Sequence, residues 1–144
     1  MKIELDGAAS DLVETGHERT LRIEYFEQAS GTQPAELFED GVPPRLAGKL
    51  ARFSQAAAES GISLGGGYFE KCHSHSDLYE IRARLGNDLG REFCLIDGDR
   101  LVLLSGVLKR VGEPTPSKAF EEALAYSDEY KRTRKVSPIE SDGV

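Results

Sequence analysis

Residues 77–108 read "DLYEIRARLGNDLGREFCLIDGDRLVLLSGVL", and how this stretch pairs with itself decides the fold. It holds three consecutive strand candidates, "DLYEIRARL", "REFCLID" and "RLVLLSGVL". The first two are separated by "GNDLG" and the last two by a tight "DGD" centred on Gly98, a strong hairpin signal. An antiparallel meander is expected. In its first strand Tyr79, Ile81, Ala83 and Leu85 point one way, while Glu80, Arg82 and Arg84 point the other. One face is expected to be core and the other wet and basic.

Upstream, "TLRIEYFEQ" from Thr20 alternates as a strand does, with Leu21, Ile23 and Tyr25 on one side. After "ASGTQ", Pro34 suits the first turn of a short helix, "PAELFED", which stops at Gly41. "VPPRLAGKLARFSQAAAESG" is the most helical stretch, because Leu46, Leu50, Phe53 and Ala57 follow steps of four, three and four and Gly61 sits where a helix ends. Downstream, "EPTPSKAFEEALAYSDEYKRTRK" begins with prolines and continues as a helix with Phe120, Ala123, Leu124 and Ser127 on one side. The expected fold is therefore α+β in two layers. A mainly antiparallel four-stranded sheet carries an N-terminal helical hairpin and a C-terminal helix. Residues 1–19 are read as an acidic arm, residues 20–135 as the domain and residues 136–144 as a flexible tail.

The chain has 144 residues, 39% hydrophobic and 30% charged, which suits one domain with a real core. No run of about eighteen apolar residues offers a membrane span, and the start lacks the order of a secretory signal, so a cytoplasmic protein is expected. Two cysteines, Cys72 and Cys94, are too few for a disulfide framework and read as reduced thiols. The net charge of −7 is concentrated at the ends. Residues 1–44 carry three basic and ten acidic residues, whereas residues 45–135 carry fifteen basic and thirteen acidic, a net of +2. A local basic patch is compatible with that middle section.

The opening strand "RIEYFE", the "LYEIR" strand, "GREFCLIDGDRLVLLSGVLKR" and the helix "TPSKAFEEAL" that follows prolines together resemble the RelE/HigB group of the RelE/ParE superfamily of bacterial toxins, in particular its phage-derived branch. The resemblance covers about residues 21–134. It implies a RelE-like toxin domain and the toxin component of a type II toxin-antitoxin system. The activity implied is that of a ribosome-dependent, metal-independent endoribonuclease, an mRNA interferase that cleaves messenger RNA and inhibits translation. The partners implied are a cognate antitoxin of the helix-turn-helix kind, the ribosome and mRNA, with no cofactor and no membrane.

Metal-free RNA cleavage uses the ribose 2′-hydroxyl as nucleophile. It needs cations on the phosphate oxygens, a base for the hydroxyl proton and an acid for the leaving 5′-oxygen. Arginine suits the first task because its planar fork binds phosphate bidentately and stays charged. By resemblance, Arg82 and Arg91 clamp the phosphate, and Lys109 stabilises developing charge or helps move the proton. Arg84 and Arg110 are secondary RNA-binding candidates, with Lys131, Arg132, Arg134 and Lys135 at the end of the last helix. Those four also complement the helix dipole, a purely structural role. No histidine follows His75, and Ser105 stands where the phage-derived branch often has one, so Tyr126 and Tyr130 are the late acid or base candidates. The rival expectation is a non-cleaving binding module on the same fold, either a gyrase-directed toxin of the ParE kind or a phage regulatory protein.

Two further stretches invite a chemical reading. Cys72, His73 and His75 crowd together, but a structural zinc site wants four ligands and a catalytic one usually three. The other candidates, Cys94 and His17, are a thiol inside the apolar run "FCLI" and a distant residue, so no metal is expected. "GISLGGGYF" lacks the Lys-Ser/Thr of a phosphate loop and reads as a connection.

Overall fold

The computed structural model describes residues 20–60, 68–72 and 77–138. Strand β1 (Arg22–Phe26) leads into α1 (Pro34–Gly41) and α2 (Pro44–Ser60). Then come β2 (Phe69–Lys71), β3 (Tyr79–Leu85), β4 (Asp88–Asp97) and β5 (Arg100–Arg110), and finally α3 (Ser117–Thr133) and β6 (Val136–Pro138). Arg22 N–H donates to the Asp99 carbonyl and Leu21 N–H to that of Ala58, which tie the start of β1 to the β4–β5 turn and to α2.

The meander forms as its turn residues require. Gly86 and Gly98, at φ 61° and 62°, open the two turns, Leu85 pairs with Asp88, and Asp97 pairs with Arg100. Much of "GNDLG" is itself strand, since Asp88, Leu89 and Gly90 belong to β4.

The four-stranded, mainly antiparallel sheet expected from the sequence is corrected to a six-stranded mixed sheet in the order β2-β3-β4-β5-β1-β6. From β2 to β5 the pairs are antiparallel, but β1 runs parallel to β5, with Ile23 opposite Leu101 and Tyr25 opposite Leu103. The α1–α2 hairpin carries the chain from β1 across to the far edge, and three reversals bring β5 back beside β1 in the same direction. The two strands the sequence did not reveal, β2 and β6, have three residues each, too few to show a period of two. β6 lies in the stretch read as tail and pairs antiparallel with β1. It is reached through Arg134, which caps α3 in the left-handed conformation at φ 55°.

Helices cover both faces of the sheet, where two layers were expected. On one face α1 and α2 bury Ala35, Leu46, Leu50 and Ala57 against Ile81, Ala83, Cys94, Leu101 and Leu103. On the other, α3 buries Ala123 and Tyr130 against Phe26, Phe93, Leu95, Val102 and Leu104. Central strands covered on both faces are apolar without alternation, which accounts for "FCLI" and "LVLL". A β-bulge interrupts the β4–β5 ladder: Phe93 pairs with Ser105 and Cys94 with Leu103, leaving Leu104 over. The bulge reverses the alternation of β5, so Leu103 faces the helical hairpin while Val107 joins the α3 side. Among the described residues no helix is long and apolar enough to cross a membrane.

Candidate functional site

Arg82 and Arg91 stand directly opposite each other on β3 and β4, and Arg91 in turn stands opposite Val107 on β5. Two residues further along the ladder, Arg84, Leu89 and Lys109 are cross-strand partners, so Arg82, Arg84, Arg91 and Lys109 share the α3 face of the sheet. Lys109 is there because of the bulge; continued alternation from Leu101 and Leu103 would have placed it under the helical hairpin. Arg110, one residue on, falls on the opposite face and is exposed.

Like charges directly opposed on neighbouring strands repel, and here each arginine has a carboxylate. Arg91 Nε lies 2.6 Å from Glu80 Oε1, and Arg82 Nη2 lies 2.8 Å from Glu70 Oε1 on the edge strand β2. The two pairs differ in setting. The Arg91 and Glu80 side chains are 16% and 8% exposed, those of Arg82 and Glu70 27% and 43%. Arg91 also donates through Nη1 to the Thr115 hydroxyl, just before α3 begins, and Lys109 Nζ donates to the Glu113 carbonyl in the same connection. Arg84 Nε donates to the Gly86 carbonyl and its side chain is exposed. The result is a cationic row at the open end of the α3 face, floored by Leu89 and Val107 and bordered by a carboxylate, Glu80, that contacts one of its arginines. Glu80 shares a strand face with Arg82 and Arg84 by period two, but sequence reasoning gave it no role. Nothing in a three-residue strand announced Glu70.

Tyr126 and Tyr130 are placed elsewhere. Tyr130 is fully buried, its hydroxyl donates to Asp97 Oδ2 at 2.6 Å, and Arg100 Nη1 donates to that hydroxyl at 3.2 Å. Asp97 is six residues from Arg91, about 20 Å along the strand. Burial, then the hydrogen bond to Asp97, raises the Tyr130 phenol above its ordinary range. The Tyr126 ring packs 5.5 Å from that of Phe26, and burial raises its phenol as well. Neither hydroxyl is brought to the arginine row.

The basic residues ending α3 are separated from the row too. Lys131 pairs with Asp77 at 2.5 Å, Arg134 with Asp97 at 2.8 Å, and Lys135 with Glu27 at 3.2 Å, while Arg132 is exposed. The Lys131 ammonium, by hydrogen bond and charge, holds Asp77 below the usual carboxylate range. The Lys131–Asp77 and Arg134–Asp97 pairs border a cleft of about 500 Å³ lined also by Lys71, Tyr79 and Leu95.

Cys72 is buried, with Sγ 4.0 Å from Glu80 Oε2, and burial followed by the Glu80 charge pushes its thiol up to about 12. Cys94 is buried on the opposite face, and burial raises its thiol strongly. His17, His73 and His75 lie outside the described residues, as does most of "GISLGGGYF". Among the described residues no three His, Cys, Asp or Glu side chains are grouped to hold a metal. No protein-family model matches the chain, and a search of curated proteins finds no match.

Proposed function

We propose that the arginine row is the RNA phosphodiester site of a RelE/HigB-like toxin, a ribosome-dependent endoribonuclease held in check by a small helix-turn-helix antitoxin. The observation that supports this reading most is the opposition of Arg82 and Arg91 across β3 and β4, with Lys109 two residues along the ladder on the same face. Two guanidinium forks at that spacing bracket a phosphate, and Lys109 meets charge developing on the leaving 5′-oxygen. Glu80, which lies against Arg91, is the carboxylate positioned to take the 2′-hydroxyl proton. In this reading a bound phosphate competes with Glu70 and Glu80 for the two guanidiniums. Chemistry then begins only when RNA displaces those pairs.

A second reading rests on those same ion pairs. Arg82 and Arg91 each hold a carboxylate, and no tyrosine hydroxyl approaches the row, an arrangement that suits a non-cleaving RelE/ParE-like binding module. Mapping message 5′ ends in a cell-free bacterial translation reaction separates the two. The nuclease reading expects new ends that require translation, fall at least tenfold with Arg82→Ala, and fall likewise with Glu80→Gln in a folded variant. A folded protein that produces no new ends overturns it in favour of the binding module.

A further inference from the structure

Among the described residues Glu92 is the one carboxylate that the sheet buries completely under the helical hairpin. It sits in the middle of β4 at 0% exposure, between Ile81 on β3 and Gly106 on β5, neither of which titrates. Both of its oxygens lack a hydrogen-bond donor. The group that meets it is a second acid, Glu39 from α1. Glu39 already accepts a 2.5 Å hydrogen bond from the Tyr25 hydroxyl on β1, and Glu36 of α1 adds another negative charge beside Tyr25. α2 contributes apolar Leu46 and Leu50 to this layer. Two carboxylates and a phenol thus face one another with no cation among the groups that act on Glu92.

A fully buried carboxylate in contact with a second, half-buried one cannot be charged at tolerable cost while its neighbour is charged too, whereas a carboxylic acid donating to a carboxylate satisfies both. We propose that Glu92 and Glu39 hold one proton between them, with Glu92 the donor, and that this proton fastens α1 to the sheet as a flap. The site is built for close docking, because a Cβ at Gly106 would lie 2.2 Å from the Phe38 ring, so α1 presses its aromatic side chain onto bare backbone beside Glu92. Burial first, then the hydrogen bond to Glu39 and the Glu39 charge, raises Glu92 well above the ordinary carboxylate range, as the proposal requires. Once α1 lifts, Glu92 is exposed to water and releases its proton in the ordinary range, about pH 4.3. Closure therefore takes up a proton between that value and the raised closed-state value. The latch is whole at low pH and weakens as pH rises through that window.

The test is a carboxyl carbon-13 NMR titration of the full-length protein labelled at glutamate, combined with amide exchange followed residue by residue. The Glu92 signal should titrate with a midpoint well above 4.3. Across the window from about 4.3 to that midpoint, α1 amides should gain about tenfold in opening per pH unit after correction for intrinsic exchange, as loss of one proton dictates, while α3 amides should not. Glu92→Gln, which keeps a neutral donor, should remove the pH dependence of α1; if that variant does not fold, the titration and the α1-to-α3 comparison in the native chain still decide. An ordinary midpoint for Glu92, or α1 and α3 amides that respond to pH alike, would overturn the proposal.

Discussion

Arg91 and Glu80 show at the scale of single residues why a charge in a sheet is judged by its surroundings. Removing one partner of a mostly buried pair leaves the other charged and desolvated, whereas an exposed pair contributes little. Arg91→Ala should therefore destabilise by about 3 kcal/mol, and Arg82→Ala by about 1 kcal/mol or less, in urea unfolding of each variant. Removing Glu80 together with Arg91 should cost clearly less than the two single changes added together, a coupling that a double-mutant cycle measures. Additivity within a few tenths of a kcal/mol would mean that the pair does not interact as the structure shows. The strand face shared by Glu80, Arg82 and Arg84 is legible in their alternation. The carboxylate each arginine meets is not, because Glu70 arrives from a different strand and Glu80 touches an arginine of the neighbouring strand.

Elements in this protein are seated by small local departures from regularity. Gly106 admits the Phe38 ring of α1, and a methyl group there would collide with it. Gly106→Ala should cost about 1–3 kcal/mol through forced repacking, read as a lower urea midpoint. Truncating the ring with Phe38→Ala should make the Gly106 change nearly silent, and an undiminished cost in that background would place the strain elsewhere. The β5 bulge has a larger consequence, since it turns Val107 and Lys109 toward the side where Arg82 and Arg91 lie. Bulges are set by pairing between strands, so the placement of Lys109 was outside what alternation within one strand can reveal.

At the scale of the whole molecule, one sheet supports two separate apolar layers, and each layer contains a buried thiol. Cys94 belongs to the hairpin side and Cys72 to the α3 side. With its thiol pushed up to about 12, Cys72 is almost wholly protonated at pH 8, and Cys94 is raised strongly as well. Both should resist a disulfide reagent in the native protein. If the molecule unfolds as one cooperative unit, both should become reactive with the same urea midpoint; distinct midpoints would show the two layers opening separately. Ending the chain before Ser117 would uncover Phe26, Phe93, Leu95, Val102 and Leu104 together. Such a truncation should lose its cooperative thermal transition, as calorimetry would show. A sharp transition in the shortened chain would make α3 an accessory element.

The sequence by itself determined the local elements: three helices, the strand from Arg22, the meander with its turn at Gly98, and the common face of Glu80, Arg82 and Arg84. These follow from periodicity, prolines and glycines, which act over a few residues. Its uninterrupted apolar runs in β4 and β5 did not separate a sheet covered on both faces from the two layers expected. Only the tertiary structure decided that β1 lies parallel to β5, that α3 covers the face opposite the hairpin, and that Lys109 joins the arginines. It alone brought Glu39 to Glu92 and took Tyr130 to Asp97, away from the row. The physical reason is range. Contacts between residues far apart in the chain arise when layers close over one another, and burial then sets the partners and protonation of groups whose local sequence carries no mark of either.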